Sequence, residues 1–432
     1  MSLREFIHQC RLSSEVVDIH TPVDSDAFLS ALTCDHKQEN SSSPIMLFHT
    51  IEGSSFSLVA NLFGTNRRID SVLSHSNVPL VKRMQEMPSR IVSWKNFCAY
   101  IRQEFACGQA TTPERGLEFM QLNNLYALPQ IRCWAGDTRP YFSLPTVFTR
   151  EYVTGDINAG VYRLSPISPR SLTLNWRPGS RAHARWRAYA DRDERMPVSV
   201  ALGVDPALTF ASLFPLPDIG NELAFWGFVR NRAQSLNLNA AGLPAPACAE
   251  IVLEGYVDPV KLHPEGSFAN HTGYYTDSAL CPVMQIDSIR AREAAIMPVT
   301  VVGPPPTENA MLGATVWKLL FVFIQRELPC LLHLVCPAET SYLPVLLLQV
   351  QEPSSLKEWE FIKRIIQQHS ILSRAHTLIL LDQTADISDP KLVYWYCMNL
   401  NTHSFHVLKS GMRVVDGVAW RYQGKRRVLC NE

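Results

Sequence analysis

An asparagine and an arginine five positions apart, Asn158 and Arg163, suggest chemistry by their types and spacing. They lie in the run Gly155-Asp-Ile-Asn-Ala-Gly-Val-Tyr-Arg163, where two glycines bracket the asparagine. An amide oxygen can bind a hard cation, and a guanidinium can bind a carboxylate through two parallel hydrogen bonds. Five positions on a regular strand put the two side chains on opposite faces, but a bend at glycine can bring both to one cavity. The alternative is a turn followed by a surface arginine.

A second segment, Pro264-Glu-Gly-Ser-Phe-Ala-Asn-His-Thr-Gly-Tyr-Tyr275, mixes small, polar and aromatic residues. That composition makes a poor core and is typical of an active-site loop. Glu265 could pair with Arg163, and His271 or the tyrosines could line a pocket. The alternative is an ordinary polar loop with Glu265 in water.

A third segment, from Arg170 to Arg195, is rich in arginine. Such a run is usually a solvated helix face, although it can also bind one phosphate. Glu222 is expected in the first turn of a helix, where a carboxylate complements the helix dipole, and His183 is expected at the surface. The seven arginines of the segment are Arg170, Arg177, Arg181, Arg185, Arg187, Arg192 and Arg195.

The composition excludes several classes of protein. The chain has 432 residues, of which 46% are apolar and 19% charged, so it is globular and long enough for about three domains. Its formal net charge of zero argues against a dedicated nucleic-acid binder. The 11 cysteines form no C-x-x-C pair, which argues against a zinc ribbon or a disulfide framework and favours a reducing cytosol. The first ten residues lack the apolar stretch of a signal peptide, and the most apolar region, Val316 to Val335, carries too many charges to span a bilayer.

The common catalytic signatures are absent from the sequence. It contains no G-x-G-x-x-G, Walker loop, H-E-x-x-H or G-x-S-x-G motif. A dinucleotide dehydrogenase, a P-loop ATPase, a zincin and an α/β-hydrolase are therefore not indicated.

The hydrophobic pattern divides the chain into three predicted domains, 1–115, 116–315 and 316–432. The first is predicted as an α/β layer with strands over 44–49 and 57–61 and one or two helices within 73–87. The second has short strands separated by proline and glycine, over 162–164, 172–176, 198–202, 251–253 and 299–302, with helices over 181–192 and 222–230, which favours a barrel or a strongly bent sheet. The third alternates helix and strand, over 316–326, 331–335, 345–350, 356–369 and 376–382, as in an α/β layer.

Taken together, these segments resemble the UbiD family of prenylated-flavin-dependent decarboxylases. The motifs occur in the order and spacing of that family. They are Asn158-Ala-Gly-Val-Tyr-Arg163, Pro197-Val-Ser-Val-Ala-Leu-Gly-Val-Asp-Pro206, Ala249-Glu-Ile-Val-Leu-Glu-Gly255, Pro264-Glu-Gly-x-Phe, His271-Thr-Gly-Tyr-Tyr275 and Val302-Gly-Pro-Pro-Pro306 with Leu312-Gly313.

The resemblance implies a fold of mixed α/β (α+β) class, with a central split β-barrel flavin-binding domain flanked by N-terminal and C-terminal α/β layers. It implies non-oxidative decarboxylation of an aromatic, 4-hydroxybenzoate-type acid in ubiquinone or menaquinone biosynthesis. The implied cofactors are prenylated FMN and Mn2+, with K+ as a further ion, and a flavin prenyltransferase supplies the flavin. The implied substrate is a small aromatic or unsaturated acid. The resemblance implies no nucleic-acid partner, a homo-oligomer (dimer or hexamer) and a cytoplasmic location, with only peripheral contact with the inner membrane.

Site roles are implied residue by residue. Asn158 and Glu222 match the metal ligands, Arg163 would hold the substrate carboxylate, and Glu265 would orient that arginine and share in proton handling. The residues matched to cofactor binding are Asn158, Val161, Tyr162, Arg163, Asn175, Trp176, Arg177, Ser180 and Arg181.

The sequence departs from the family at four places. Asn270 stands where members carry the acid that gives the proton to the carbon that lost CO2, and an amide has no proton to release. Ala269 replaces a glycine. The segment after Trp176 reads Arg-Pro-Gly-Ser and lacks the histidine beside metal and flavin; His183 is too far along to replace it. Gly411-Met-Arg-Val-Val-Asp416 replaces a Gly-x-Lys pattern, and the long helical tail of many members is not found.

These departures leave two functions open. The first is an active decarboxylase in which Glu265 or a bound water delivers the proton in place of Asn270. The second is a weak or silent family member that keeps fold and assembly, acting as a structural or partner subunit. A metal-dependent hydrolase without flavin fits poorly, because no His/carboxylate cluster has metal spacing.

Overall fold

The computed structural model describes residues 1–25, 43–109, 119–217, 220–303, 307–337, 340, 344–400, 404–408 and 410–418. The chain divides into two compact units, one of Met1–Pro79 with Cys98–Glu308 and one of Leu80–Phe97 with Asn309–Glu432. The three predicted domains remain a prediction. The prolines at 304–306, positions 218–219 and everything after 418 lie outside the described residues.

Most helices of the described residues begin after a residue whose side chain caps the first turn. In chain order they are α1 (Leu3–Leu12), α2 (Asn66–Leu73), α3 (Leu80–Gln85), α4 (Trp94–Glu104), α5 (Arg181–Ala190), α6 (Pro206–Leu213), α7 (Glu222–Val229), α8 (Glu308–Glu327), α9 (Leu356–Gln368) and α10 (Pro390–Met398). The predicted helices over 181–192 and 222–230 are confirmed as α5 and α7. The prediction of one or two helices within 73–87 is met by α3, while α2 ends where that range begins.

The strands, also in chain order, form sheets in both units. They are β1 (Val16–Ile19), β2 (Ile45–Phe48), β3 (Ser57–Ala60), β4 (Gly108–Gln109), β5 (Phe119–Gln121), β6 (Thr146–Arg150), β7 (Ile157–Val161), β8 (Leu164–Ser168), β9 (Ser171–Leu174), β10 (Met196–Leu202), β11 (Ser235–Leu236), β12 (Ile251–Pro264), β13 (Leu280–Arg292), β14 (Ile296–Val299), β15 (Leu331–Val335), β16 (Val345–Val350), β17 (Thr377–Asp382), β18 (Phe405–Val407) and β19 (Arg413–Asp416).

The central sheet of the first unit has the strand order β7-β6-β10-β12-β13-β9-β8, with β5 also paired to β13. Its two outermost strands, β7 and β8, are consecutive in the chain and are joined only by Tyr162 and Arg163. Since three residue steps span at most about 10 Å, the sheet must curl until its edges approach at this corner. The pairing of the described strands does not close the sheet, so the split barrel remains a prediction.

Two strands of this sheet are longer than predicted. β12 has 14 residues and β13 has 13, whereas the sequence suggested short strands cut by glycine and proline. Gly255 lies at an irregularity in their pairing, and a Cβ there would meet the Gln285 carbonyl oxygen. A second irregularity lies between Val257 and Leu262. Glycine and proline therefore mark bulges inside one long hairpin rather than strand ends.

The first unit also contains a four-stranded sheet, β1-β2-β3-β14. Its strands β2 and β3 confirm the predicted strands over 44–49 and 57–61. The strand predicted over 299–302 was misplaced, because β14 ends at Val299. One continuous cluster of buried side chains, including Phe48, Leu58, Val198 and Leu253, draws from both sheets.

The second unit contains a five-stranded sheet, β15-β16-β17-β19-β18. The strands and helices predicted over 316–382 are confirmed, although α8 begins at Glu308, eight residues before its predicted start. Among the described helices, none is long and apolar enough to cross a bilayer.

Candidate active site

Arg163 and Glu265 form a two-pronged ion pair at the corner between β7 and β8. Arg163 donates from Nε to Glu265 Oε1 over 2.8 Å and from Nη2 to Oε2 over 2.6 Å. Glu265 follows the last residue of β12, and its side chain is 2% exposed against 14% for Arg163. The predicted strand over 162–164 was wrong, because the chain turns here from one edge of the sheet to the other. That turn brings the arginine to the end of the β12–β13 hairpin.

Two further donors surround the Glu265 carboxylate. Asn175 donates from Nδ2 to Oε2 over 2.5 Å, and the Cys281 thiol lies 3.7 Å from the same oxygen. Burial and the Glu265 charge raise the pKa of Cys281 to about 12, so the thiol keeps its proton as a donor. Hydrogen bonds to a carboxylate stabilise its charged form. Both Glu265 oxygens are therefore occupied by donors from the chain itself.

Two aromatic rings flank the Arg163 guanidinium. It stacks over the ring of Phe268, and the ring of Tyr141 lies 5.6 Å away. Such rings attract a cation and limit its rotation. Glu265 takes two of the five guanidinium N–H groups, so three remain that can bind a second anion.

A buried carboxylate, Asp137, fixes both rings. Its Oδ2 accepts from the Tyr141 hydroxyl over 3.2 Å and from the Trp134 N–H over 2.9 Å. Its Oδ1 accepts from the N–H of Ala269, the residue after Phe268, over 2.8 Å. The Asp137 side chain is buried, with 1% of the residue exposed. Its hydrogen bond to Ala269 ties the loop after β12 to the segment that carries Tyr141.

A second cluster surrounds Glu222, in the first turn of the fully buried helix α7. Asn221 caps this helix by accepting from the Ala224 N–H over 2.9 Å. The Glu222 carboxylate accepts from Arg181 through Oε1 and lies 3.4 Å from the Ala159 N–H through Oε2. Burial raises the pKa of Glu222, and the Arg181 guanidinium opposes that rise.

Asn158, Tyr162 and Trp176 lie beside this cluster. The Asn158 amide nitrogen is buried and makes no hydrogen bond of normal geometry, although the Tyr162 hydroxyl is in range of a weak one. The Tyr162 ring packs on Gly160, where a Cβ atom would collide with it. It also packs edge-on against the Trp176 ring, with 6.3 Å between the ring centroids. The buried indole N–H of Trp176 also has no partner. Unpaired buried polar atoms are rare in folded proteins and are consistent with a polar ligand at this place.

Asn270 closes a turn of its own loop. Its amide oxygen accepts from the Thr272 N–H over 2.7 Å and from the Thr272 hydroxyl over 2.5 Å. A side-chain oxygen bound two residues ahead is an Asx turn. This position therefore supplies loop geometry but no acidic proton.

The next residue, His271, lies within the field of two arginines. Burial, followed by the charges of Arg177 and Arg163, lowers the pKa of His271 to about 4. The imidazole is therefore neutral at neutral pH. The charge of Arg163 acts on it, which is consistent with the prediction that His271 lies near the pocket of Arg163 and Glu265.

The remaining predicted residues lie at the start of helix α5 or at the end of β7. Ser180 caps α5 by accepting from the His183 N–H over 3.2 Å, and Arg177 is exposed just before it. Val161 is the last residue of β7. The predicted positions thus gather around two clusters, one at Glu265 and one at Glu222, joined by the chain from Asn158 to Arg163.

The two clusters differ in the group that they fit. The unpaired Asn158 and Trp176 atoms, the α5 N-terminus and the arginines suit a phosphorylated flavin. A divalent cation fits less well, because Arg181 already occupies one Glu222 oxygen. Within the described ranges, no group of three His, Cys, Asp or Glu residues could hold a metal ion.

The sequence matches two domain descriptions in chain order. Residues 7–87 match the 3-octaprenyl-4-hydroxybenzoate carboxy-lyase N-terminal domain, and residues 110–305 match the Rift-related domain of the same description. The chain belongs to the UbiD family. A protein of Archaeoglobus fulgidus without an assigned function is 28% identical over 415 residues, which cover 91% of this chain and 82% of that protein.

Solved structures show the same UbiD fold. An evolved dimeric form of the UbiD-class enzyme HmfF from Pelotomaculum thermopropionicum, in complex with prFMN, superposes with a TM-score of 0.79 at 19% identity, covering 96% of this chain and 94% of that one. The closed form of Sedimentibacter hydroxybenzoicus vanillic acid decarboxylase gives 0.77 at 18% identity, covering 94% and 85%. Apo Klebsiella pneumoniae 3,4-dihydroxybenzoic acid decarboxylase gives 0.78 at 18% identity, covering 100% and 97%.

Proposed function

We propose that this UbiD-family protein is a non-oxidative decarboxylase of an aromatic hydroxy acid that uses prenylated FMN. The observation that carries the proposal is the Arg163–Glu265 ion pair, completed by Asn175, at the corner that joins the two edges of the central sheet. Family membership and the fold shared with two aromatic acid decarboxylases support it.

Arg163 binds the substrate in this proposal. Its free N–H groups form a fork that suits a carboxylate, and Glu265 holds the fork in one orientation. The stacked Phe268 ring excludes water from one side, which strengthens the electrostatic attraction. When bound, the prenylated flavin supplies the electron sink that the loss of CO2 requires.

The proton that replaces CO2 is the difficult step for this chain. Both Glu265 oxygens already accept from Arg163, Asn175 or Cys281, and Asn270 has no acidic proton. Water is therefore the proton source in the proposal. A positioned acid typically contributes about 10²- to 10⁴-fold to a rate, so turnover by the natural chain is expected to be slow.

Several finer assignments belong to the same proposal. The carboxy-lyase descriptions that match the chain support a 4-hydroxybenzoate-type substrate and a place in quinone biosynthesis. The approach of β7 and β8 at Tyr162–Arg163 supports a split barrel around the flavin. A cytoplasmic homo-oligomer supplied by a flavin prenyltransferase completes the proposal.

A second function, a silent paralogue that acts as a partner subunit, is favoured by one observation. Asn270 replaces the proton-donating acid, and its side chain is engaged in an Asx turn. Under this alternative the protein binds flavin without turnover.

Reconstitution separates the two functions. The full chain is loaded with prenylated FMN, and CO2 release from 4-hydroxybenzoate, vanillate and 3,4-dihydroxybenzoate is measured. Slow turnover that Arg163→Lys abolishes is expected, with Arg187→Lys, on the exposed face of α5, as the matched control. Flavin binding without turnover by the natural chain, and turnover in Asn270→Asp, would favour the silent paralogue instead.

A further inference from the structure

The Glu222 carboxylate is paired with a protein cation. Arg181, the first residue of α5, donates from Nη2 to Glu222 Oε1, and the Glu222 side chain is 3% exposed. The other carboxylate oxygen faces the Ala159 N–H at 3.4 Å. Each oxygen thus has a donor supplied by the chain itself.

A second guanidinium stands one helical turn further along α5. Arg185 donates to the Thr149 carbonyl oxygen over 3.0 Å, and Thr149 lies directly opposite Asn158 in the pairing of β6 with β7. Burial lowers the pKa of Arg185, and the Glu222 charge counteracts this. Arg181 and Arg185 together carry two positive charges, which equals the charge of one divalent cation.

The surroundings are unfavourable for an added divalent cation. Such an ion on Glu222 would lie beside Arg181 and within the field of Arg185, and like charges repel strongly at a buried site. Positions 177–180, Arg-Pro-Gly-Ser, supply no imidazole ligand. Asn158 would remain as the second oxygen donor, which leaves the coordination shell incomplete.

The same surroundings favour an anion. Helix α5 has ten residues, and its N-terminal N–H groups carry partial positive charge. Two buried polar atoms that share one face of the β6–β7 pair, the Thr149 hydroxyl and the Asn158 amide nitrogen, have no hydrogen bond of normal geometry. Unpaired buried donors next to two guanidinium groups indicate a place for a ligand with several acceptor oxygens.

We infer that this chain binds the phosphate of its flavin through Arg181, Arg185 and the N-terminus of α5, without a divalent metal ion. The inference rests on the proposed function, because it concerns the cofactor of the same site. When the phosphate binds, Arg181 contacts it either in place of Glu222 or together with Glu222. Glu222 then serves to hold Arg181 in place, and the histidine missing after Trp176 is no longer required.

The first test measures the affinity of the purified full chain for ordinary FMN by fluorescence quenching. FMN keeps the phosphate and needs no turnover as a readout. The dissociation constant is expected to be the same with EDTA and with added Mn2+. Binding that appears only with Mn2+ would overturn this inference and leave the proposed function standing. Absence of FMN binding under both conditions would overturn both.

Variants on α5 provide the second test. Arg181→Ala should weaken FMN binding roughly 10- to 100-fold, the range expected for a lost charge-assisted hydrogen bond. Arg187→Ala is the matched control, because Arg187 lies on the same helix but pairs with the exposed Asp191. Riboflavin, which lacks the phosphate, should bind both variants and the natural chain equally. Equal loss of riboflavin binding in Arg181→Ala would show damage to the fold and count against a phosphate contact.

Glu222→Gln separates the two forms of phosphate binding most sharply. If the arginines bind the phosphate, removing the competing carboxylate should leave FMN affinity unchanged or increase it. If a metal ion binds the phosphate, the same change removes a ligand and should weaken FMN binding at least tenfold. The side chains have nearly the same shape, so the fold should tolerate the change, and a metal-content measurement on the natural chain checks the result independently.

Discussion

The carboxylate of Asp137 holds the main chain of Ala269, 132 positions away. The Ala269 N–H donates to Asp137 Oδ1 over 2.8 Å, while the other carboxylate oxygen holds the Tyr141 hydroxyl. The rings of Tyr141 and of Phe268, next to Ala269, are the two that flank Arg163. One buried carboxylate therefore holds the two segments whose rings flank Arg163.

Asp137→Asn should raise the KM for the aromatic acid more than it lowers kcat. The amide cannot accept all three hydrogen bonds, so the rings lose their fixed distance from Arg163, and the free energy of unfolding should fall by about 1–3 kcal/mol. Steady-state kinetics and urea denaturation measure the two effects. Asp191→Asn, an exposed carboxylate, is the control. A stability loss with unchanged KM would contradict the positioning role.

Arg163→Gln and Glu265→Gln should each destabilise the protein by about 3–5 kcal/mol, because each change leaves a buried charge without its partner. The double variant should lose less than the sum of the two single variants, since no charge is then stranded. Chemical denaturation of all four proteins gives the coupling energy. The exposed Arg187–Asp191 pair, treated in the same way, should give about 0–1 kcal/mol. Strict additivity at Arg163 and Glu265 would contradict the ion pair.

Local composition singled out the two segments of the candidate site but left an ordinary turn or loop open for each. The order and spacing of the family motifs then indicated that Arg163, in the first segment, lies near Glu265, in the second. The helices α5 and α7 were equally predictable, because each has an apolar face or a buried run after a capping residue.

The partners brought by long-range pairing could not be predicted. Cys281 reaches Glu265 because the β12–β13 hairpin pairs His263 with Cys281, and nothing local to Cys281 indicates that register. Asp137 lies in an ordinary turn, and its three acceptor contacts depend on where Ala269 arrives. The sequence predicts a strand at Arg163 because the residues on both sides of this two-residue turn belong to strands β7 and β8.

Asn270→Asp should raise the decarboxylation rate by about 10²- to 10⁴-fold, because it restores a carboxylic acid on the loop that follows Glu265. Aspartate also keeps the acceptor that Thr272 needs, so the Asx turn should persist. The measurement is kcat with prenylated FMN across pH 5 to 8, and the gain should be largest at low pH, where the new acid is protonated. Asn270→Ala removes the acceptor as well and should show no gain. Equal rates in the natural chain and in Asn270→Asp would show that another group already supplies the proton.

His271 should make the protein sensitive to acid. Its pKa is lowered to about 4 in the fold from an ordinary 6.5. Between these two values the unfolded chain binds more protons than the folded chain, so the free energy of unfolding falls as the pH falls from 6.5 toward 4. His271→Asn removes this contribution, and its stability should therefore decline less than that of the natural chain between pH 7.5 and pH 5. Urea denaturation at the two pH values measures the difference, with His8→Asn, on the exposed face of α1, as control. An equal decline in the natural chain and in His271→Asn would show that neither burial nor the charges of Arg177 and Arg163 lower the pKa of His271.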